Sequence, residues 1–280
     1  MATTTLASGL AFGEGPRWHQ DHLWLSDMHA HEVLKVSTDG TLTTVVTVEN
    51  QPSGLGWLPN GDLLVVSMTN RQLLRWDGAE LTIHAKLNKL AAFHCNDMVV
   101  DAAGRAYVGN FGFDLNAGES PRPAELLCVE PDGSVRVAAE QLLFANGTVI
   151  TPDGMTLIVA ETFGARLSAF DIDPDGNLSN RRIWADLPDG AVPDGICLDE
   201  AGGIWSASPT TNECLRQVEG GHVTHRIELD QGAYACTLGG EGGDTLFILT
   251  AASSQPEQCI KERSGKIEVC QAPHSRAGLP

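Results

Sequence analysis

Little in this sequence suits a membrane or a nucleic acid. No apolar run approaches the roughly 18 residues that a membrane-crossing helix needs. The start, Met1-Ala-Thr-Thr-Thr-Leu6, lacks both a basic cluster and a long apolar stretch, so neither a leader nor an anchor is expected and the cytoplasm is the predicted location. Positive charge is scarce: 18 Lys and Arg stand against 36 Asp and Glu, and the net charge of −18 repels phosphate backbones and anionic lipid surfaces. Nucleic acid and membrane are thereby excluded as partners. The seven cysteines include no C-x-x-C pair, which leaves out a zinc ribbon or a redox motif, and their odd number predicts free, mostly buried thiols. A bridge between Cys259 and Cys270 across Arg263-Ser264-Gly265 is the alternative. No stretch sustains a helical repeat.

What the chain does contain is short β-rich runs bounded by Gly, Asn, Asp or Pro, such as His22-Leu-Trp-Leu25, Thr156-Leu-Ile-Val159 and Thr245-Leu-Phe-Ile-Leu249. Six segments superimpose: Glu14-Gly-Pro-Arg-Trp18, Ser53-Gly-Leu-Gly-Trp57, Asn96-Asp-Met-Val-Val100, Asn146-Gly-Thr-Val-Ile150, Asp194-Gly-Ile-Cys-Leu198 and Ala235-Cys-Thr-Leu-Gly239. Their starts lie 39, 43, 50, 48 and 41 residues apart, the length of one four-stranded propeller blade. A small sheet buries neither face alone, whereas radial stacking of six supplies a core. The expected fold is therefore all-β, a six-bladed β-propeller with four-stranded blades, formed as a single domain over residues 1–280. The stretch from Thr5 to Phe12 is expected to lend a strand to the last blade and close the ring.

In such a ring the first strand of each blade lines the central channel, so equal register means equal height on one axis. Glu14, Ser53, Asn96, Asn146 and Asp194 should then converge, although Glu14 and Asp194 are 180 positions apart. Two carboxylates in a confined space repel unless a proton or a cation neutralises them. The donors are all oxygens, which suits a hard divalent ion: Ca²⁺ first, Mg²⁺ or Mn²⁺ next, with Zn²⁺ less natural. Loops that follow second strands return to the same end and should rim the mouth. The longest, Asn110 to Pro123, carries Phe111 and Phe113 and is the expected lid and substrate contact. His29 and His31 are read as a solvated pair, Glu161 as ordinary loop solvation, and Trp18, Trp57 and Trp205 as blade packing.

The sequence resembles the regucalcin/gluconolactonase family, also called the senescence-marker-protein, gluconolactonase and luciferin-regenerating-enzyme family. The matching pieces are Gly13-Glu-Gly-Pro-Arg-Trp18, Asn96-Asp97 with Asp101-Ala-Ala-Gly-Arg105, Ala145-Asn-Gly147 with Pro152-Asp-Gly154, and Pro193-Asp-Gly195 with Asp199-Glu-Ala-Gly202 and Ile204-Trp205. The resemblance implies a propeller whose metal is held by Glu14, Asn146 and Asp194, with Asn96 touching substrate and Asp194 acting as general base. It implies a metal-dependent lactonase acting on a small lactone or ester. Family members that act on aldonolactones often carry Arg two positions before the Asn-Asp pair. Here that position is His94, a shorter side chain of a type that titrates near pH 6.5 when unperturbed, in place of a fixed bidentate cation. Other metal-assisted chemistry in the same site remains open: ester or phosphotriester cleavage, or an isomerase or lyase step, on a less polar substrate. A propeller that binds a metal or a partner without catalysis is the third reading.

Overall fold

The computed structural model describes residues 1–188 and 190–280. Six four-stranded antiparallel sheets follow one another along the chain as blades 1 to 6, and together they form a six-bladed β-propeller. Blades 1 to 5 are each built from four consecutive strands. Blade 6 takes its fourth strand from the other end of the chain: Thr4–Leu10 pairs with Gly265–Gln271, from Thr4 opposite Val269 to Leu10 opposite Gly265. The closing strand anticipated from the leading stretch is thus in place.

Burial explains the order of strands within a blade. Inner strands are buried on both faces, as in Cys95–Val100 and Leu63–Ser67, and the second of these reads as a near-continuous apolar run. Outer strands face water and are polar, as in Leu178–Asp186. The core consists of apolar layers between neighbouring blades. Leu64, Val66 and Leu73 of blade 2 pack with Met98, Val108 and Leu127 of blade 3, and Tyr107 and Cys128 of blade 3 pack with Leu157 and Val159 of blade 4. Each such Leu or Val contributes about 1.5–3 kcal/mol through burial.

The far end of the channel is closed. Arg17 lies buried on the axis and donates to the carbonyls of Pro16, Leu55 and Met98 and to Asp97 Oδ1 at 2.5 Å, so its guanidinium is engaged on every side. Beyond it the C-terminal tail crosses the ring, with Leu279 and Ile150 exchanging backbone hydrogen bonds of 2.8 and 2.9 Å and Ala277 donating to Leu198.

A helix departs from the sequence reading, whereas the cysteines follow it. A short helix, Pro256–Glu262, interrupts blade 6 and starts with a proline, which suits a first helical turn. All seven cysteines are free, so Cys259 and Cys270 do not bridge: Cys259 is buried in that helix and donates to the Ser253 carbonyl, while Cys270 lies in the following strand.

Candidate active site

The open end of the channel holds a cavity of about 600 Å³. Its floor is made by the first strands, and each of those in blades 1 to 4 has a β-bulge at its mouth end, between Glu14 and Arg17, Pro52 and Leu55, Cys95 and Met98, and Ala145 and Thr148. A bulge re-aims the side chain beside it, and here it turns Glu14, Asn96 and Asn146 toward the axis. Asp194 joins them immediately before the blade 5 strand Ile196–Leu198. All four line the cavity. Asn146-Gly147 therefore belongs to a strand rather than a turn. The glycine is required because a Cβ there would lie 2.5 Å from the Ile196 nitrogen and 2.7 Å from the Asp194 carbonyl, where neighbouring first strands touch.

The repeat placed the sixth position at Ala235, and the pairing register corrects this. In blade 6 the irregularity falls between Ala233 and Ala235, leaving Tyr234 as the extra residue, and it is Tyr234 that lines the cavity. Ser53 also turns aside: its hydroxyl donates to Asn96 Oδ1 at 3.4 Å and is absent from the cavity wall.

The floor is electrostatically unbalanced. Burial raises the Glu14 carboxyl well above its ordinary range, and the nearby Asp194 and Asp97 carboxylates add to it, against a smaller opposing pull from Arg17. Burial likewise pushes Asp194 up to about 8, partly countered by the Asn146 amide. Asp194 Oδ1 is buried with no hydrogen-bond partner in the protein. An orphaned carboxylate oxygen beside a second buried carboxyl and a carboxamide is what a cation site leaves when its ion is not counted. Asn146 Nδ2 donates to Thr162 Oγ1 at 3.2 Å, which fixes the amide. Among the described residues no three His, Cys, Asp or Glu side chains cluster to hold a metal. A cation here would therefore draw on carboxamide oxygen as well as carboxylate, a donor set suited to Ca²⁺ or Mg²⁺ rather than Zn²⁺.

Every loop that follows a second strand reaches the cavity, as its place in the blade predicts: His29, Thr69, Phe111, Phe163, Thr210 and Gln255 each come from a different one. His94 lines the wall, stacked on Phe93 at 4.1 Å. Phe111 stacks on Phe144 at 4.2 Å. Phe113 does not line the cavity: it is 1% exposed and packs behind Phe144 and Phe163 as their support, which corrects its assignment as a substrate contact.

Two other expectations also fail. His29 is buried in the wall rather than solvated, held between Gln51 Nε2 and the Ser254 carbonyl. Glu161 is fully buried and accepts hydrogen bonds from Arg166, Arg181, Ser168 and the Leu143 nitrogen, an internal ionic hub remote from solvation. The wall residues missed from sequence carry a readable signal. Phe12, Gln51, Phe144 and Val192 each stand two positions before Glu14, Ser53, Asn146 and Asp194, the same offset that His94, already singled out from the sequence, keeps from Asn96.

A closed ring of six blades, opening at one end into a cavity with an oxygen-rich floor, defines a six-bladed propeller with an axial cleft. The chain belongs to the SMP-30/Gluconolactonase/LRE-like family, whose model matches residues 12–252. It is 27% identical to regucalcin of Danio rerio over 248 residues, covering 85% of this chain and 82% of that one. A solved gluconolactonase of Xanthomonas campestris is 25% identical with a TM-score of 0.75, covering 99% of this chain and 89% of its own. The solved calcium-binding protein regucalcin of Agrobacterium tumefaciens superimposes at a TM-score of 0.82 with 19% identity, covering 99% and 96%.

Proposed function

We propose that this chain is a lactonase that opens a cyclic ester with a divalent cation, Ca²⁺ foremost, held by Glu14, Asn146 and Asp194. The observation that carries the reading is the unpartnered Asp194 Oδ1 beside the buried Glu14, at the base of a cavity sized for a small molecule. Family membership and the named gluconolactonase relative support the lactonase class. When bound, the cation supplies Lewis acidity, polarising the ester carbonyl and offsetting the charge that develops on its oxygen.

The chain's own groups do the rest. Asp194 accepts a proton from the attacking water as the new C–O bond forms and returns it to the ring oxygen as the ester C–O bond breaks, leaving the hydroxy acid. With Oδ1 occupied by the Ser53 hydroxyl, Asn96 presents its NH₂ to the ring or to the developing oxyanion. His94 and Phe111 hold the rest of the substrate, with Phe113 bracing the wall behind. The apolar walls exclude water from the reacting centre.

The test is a panel of γ- and δ-lactones and aryl esters assayed with chelator-stripped protein, to which Ca²⁺, Mg²⁺, Mn²⁺ or Zn²⁺ is then restored. Lactone opening should require a cation, and Asp194→Ala and Glu14→Gln should each lose on the order of a hundredfold or more in kcat. Near-normal turnover in both variants would reject the assignment.

A further inference from the structure

Resting on the lactonase reading, we propose that the substrate is a lactone bearing a hydrocarbon or aromatic substituent and no anionic group, with Phe111, Phe144 and Phe163 forming the subsite for that substituent. Three observations lead there. First, no Lys or Arg lines the cavity among the described residues, and its ionisable groups are Glu14, Asp194, His29, His94 and Tyr234. A phosphorylated or carboxylated substrate would meet two carboxylates and no fixed countercharge, inside a chain of net charge −18.

Second, four of the polar side chains on the wall are committed within the protein. Thr162 donates to the Pro193 carbonyl at 2.9 Å, Thr210 to Gly190 at 2.7 Å, Thr69 to Asn50 at 3.3 Å, and Gln51 is paired with His29 at 3.3 Å. A polyhydroxylated ring buried against groups already engaged would forfeit its bonds to water without full replacement.

Third, the apolar surface is continuous from floor to rim on the side of blades 3 and 4. Phe111 stacks on Phe144, Phe144 meets Phe163 at 5.3 Å, and the ladder ends at Phe163 and Leu115, which are 42% and 43% exposed. Large apolar side chains left open to water at the rim of a cavity gain their burial from a ligand.

The experiment measures kcat/KM for γ-lactones of increasing alkyl length against glucono-δ-lactone, with the cation that gives the highest turnover. Going from the methyl to the hexyl lactone should raise kcat/KM about tenfold or more, with the sugar lactone at least ~100-fold below the hexyl compound. Phe163→Ala should raise KM for the hexyl lactone about tenfold, a larger rise than for the unsubstituted ring. A flat alkyl series or a preference for the sugar lactone overturns the subsite and leaves the lactonase reading standing. If no lactone of either kind is opened with any cation, the lactonase reading falls. Calorimetry with the non-hydrolysable hexyl lactam then decides the subsite: binding that weakens in Phe163→Ala upholds it, and no binding overturns it.

Discussion

Replacing Asp194 by asparagine should make the metal-free protein more stable while abolishing its activity. The folded protein holds this carboxyl at about 8, against an ordinary value of 3.8. A carboxyl whose folded value is raised is penalised above its unfolded value, and the penalty grows with pH until the folded value is reached. At pH 7 the gap is about three units, or about 4 kcal/mol at 1.36 kcal/mol per unit. At pH 5 it is about one unit, so roughly 3 kcal/mol of the penalty develops between the two. For a chain of this size 1 kcal/mol moves Tm by roughly 2 °C. In EDTA, Asp194→Asn should therefore melt on the order of 8 °C above the wild type at pH 7, with a much smaller difference at pH 5. Thermal melts followed by circular dichroism at both pH values measure this directly. Adding Ca²⁺ should narrow the difference to roughly 1 kcal/mol, since ligand at a hundred times Kd stabilises the competent protein by about 2.7 kcal/mol and the variant has lost the ligand's negative charge. If the variant is no more stable than the wild type in EDTA at pH 7, or if the difference does not change with pH, the account of a strained, ion-seeking floor is wrong.

Two further substitutions test the frame that positions the floor. Gly147→Ala places a methyl 2.5 Å from a backbone nitrogen of the adjacent first strand and should cost about 2 kcal/mol or more in urea unfolding, with a loss of lactone opening because Asp194 must move. Glu161→Gln leaves Arg166 and Arg181 without their shared carboxylate and should destabilise by about 3 kcal/mol at neutral pH. Although burial alone would raise the Glu161 carboxyl, its bonds to Arg166, Ser168, Leu143 and Arg181 hold it below its ordinary value. Its contribution is thus present at neutral pH and fades as pH falls through that lowered value, so the acid limb of the wild-type stability curve should be steeper than the variant's.

Much of this architecture was legible because propeller blades are punctuated. Asp-Gly and Asn-Gly pairs recur where hairpins turn or first strands touch, and the spacing of Glu14, Asn96, Asn146 and Asp194 followed from that. The sixth position slipped because a bulge at Tyr234 shifts the register locally and no residue type announces a bulge. The helix Pro256–Glu262 went unseen because seven residues make too few turns to show a period. His29 was read as solvated since loops usually are, whereas a loop folded over a cavity acquires an inner side, and Glu161 was taken for a loop residue although it ends the strand Thr156–Glu161. Phe113 was placed with Phe111 on chain proximity alone, yet the two rings fall in different layers of the wall.

The strand Thr4–Leu10 finds its partner in Gly265–Gln271, so the ring cannot close until a segment five blades further along the chain has been made. Until then the nascent chain is an open arc with an unpaired edge at each end, and edges of that kind recruit strands from other molecules. A bulky tag fused directly before Thr4 would burden that closure step, while the finished molecule, once latched, must release both chain ends' pairing before any blade can peel away.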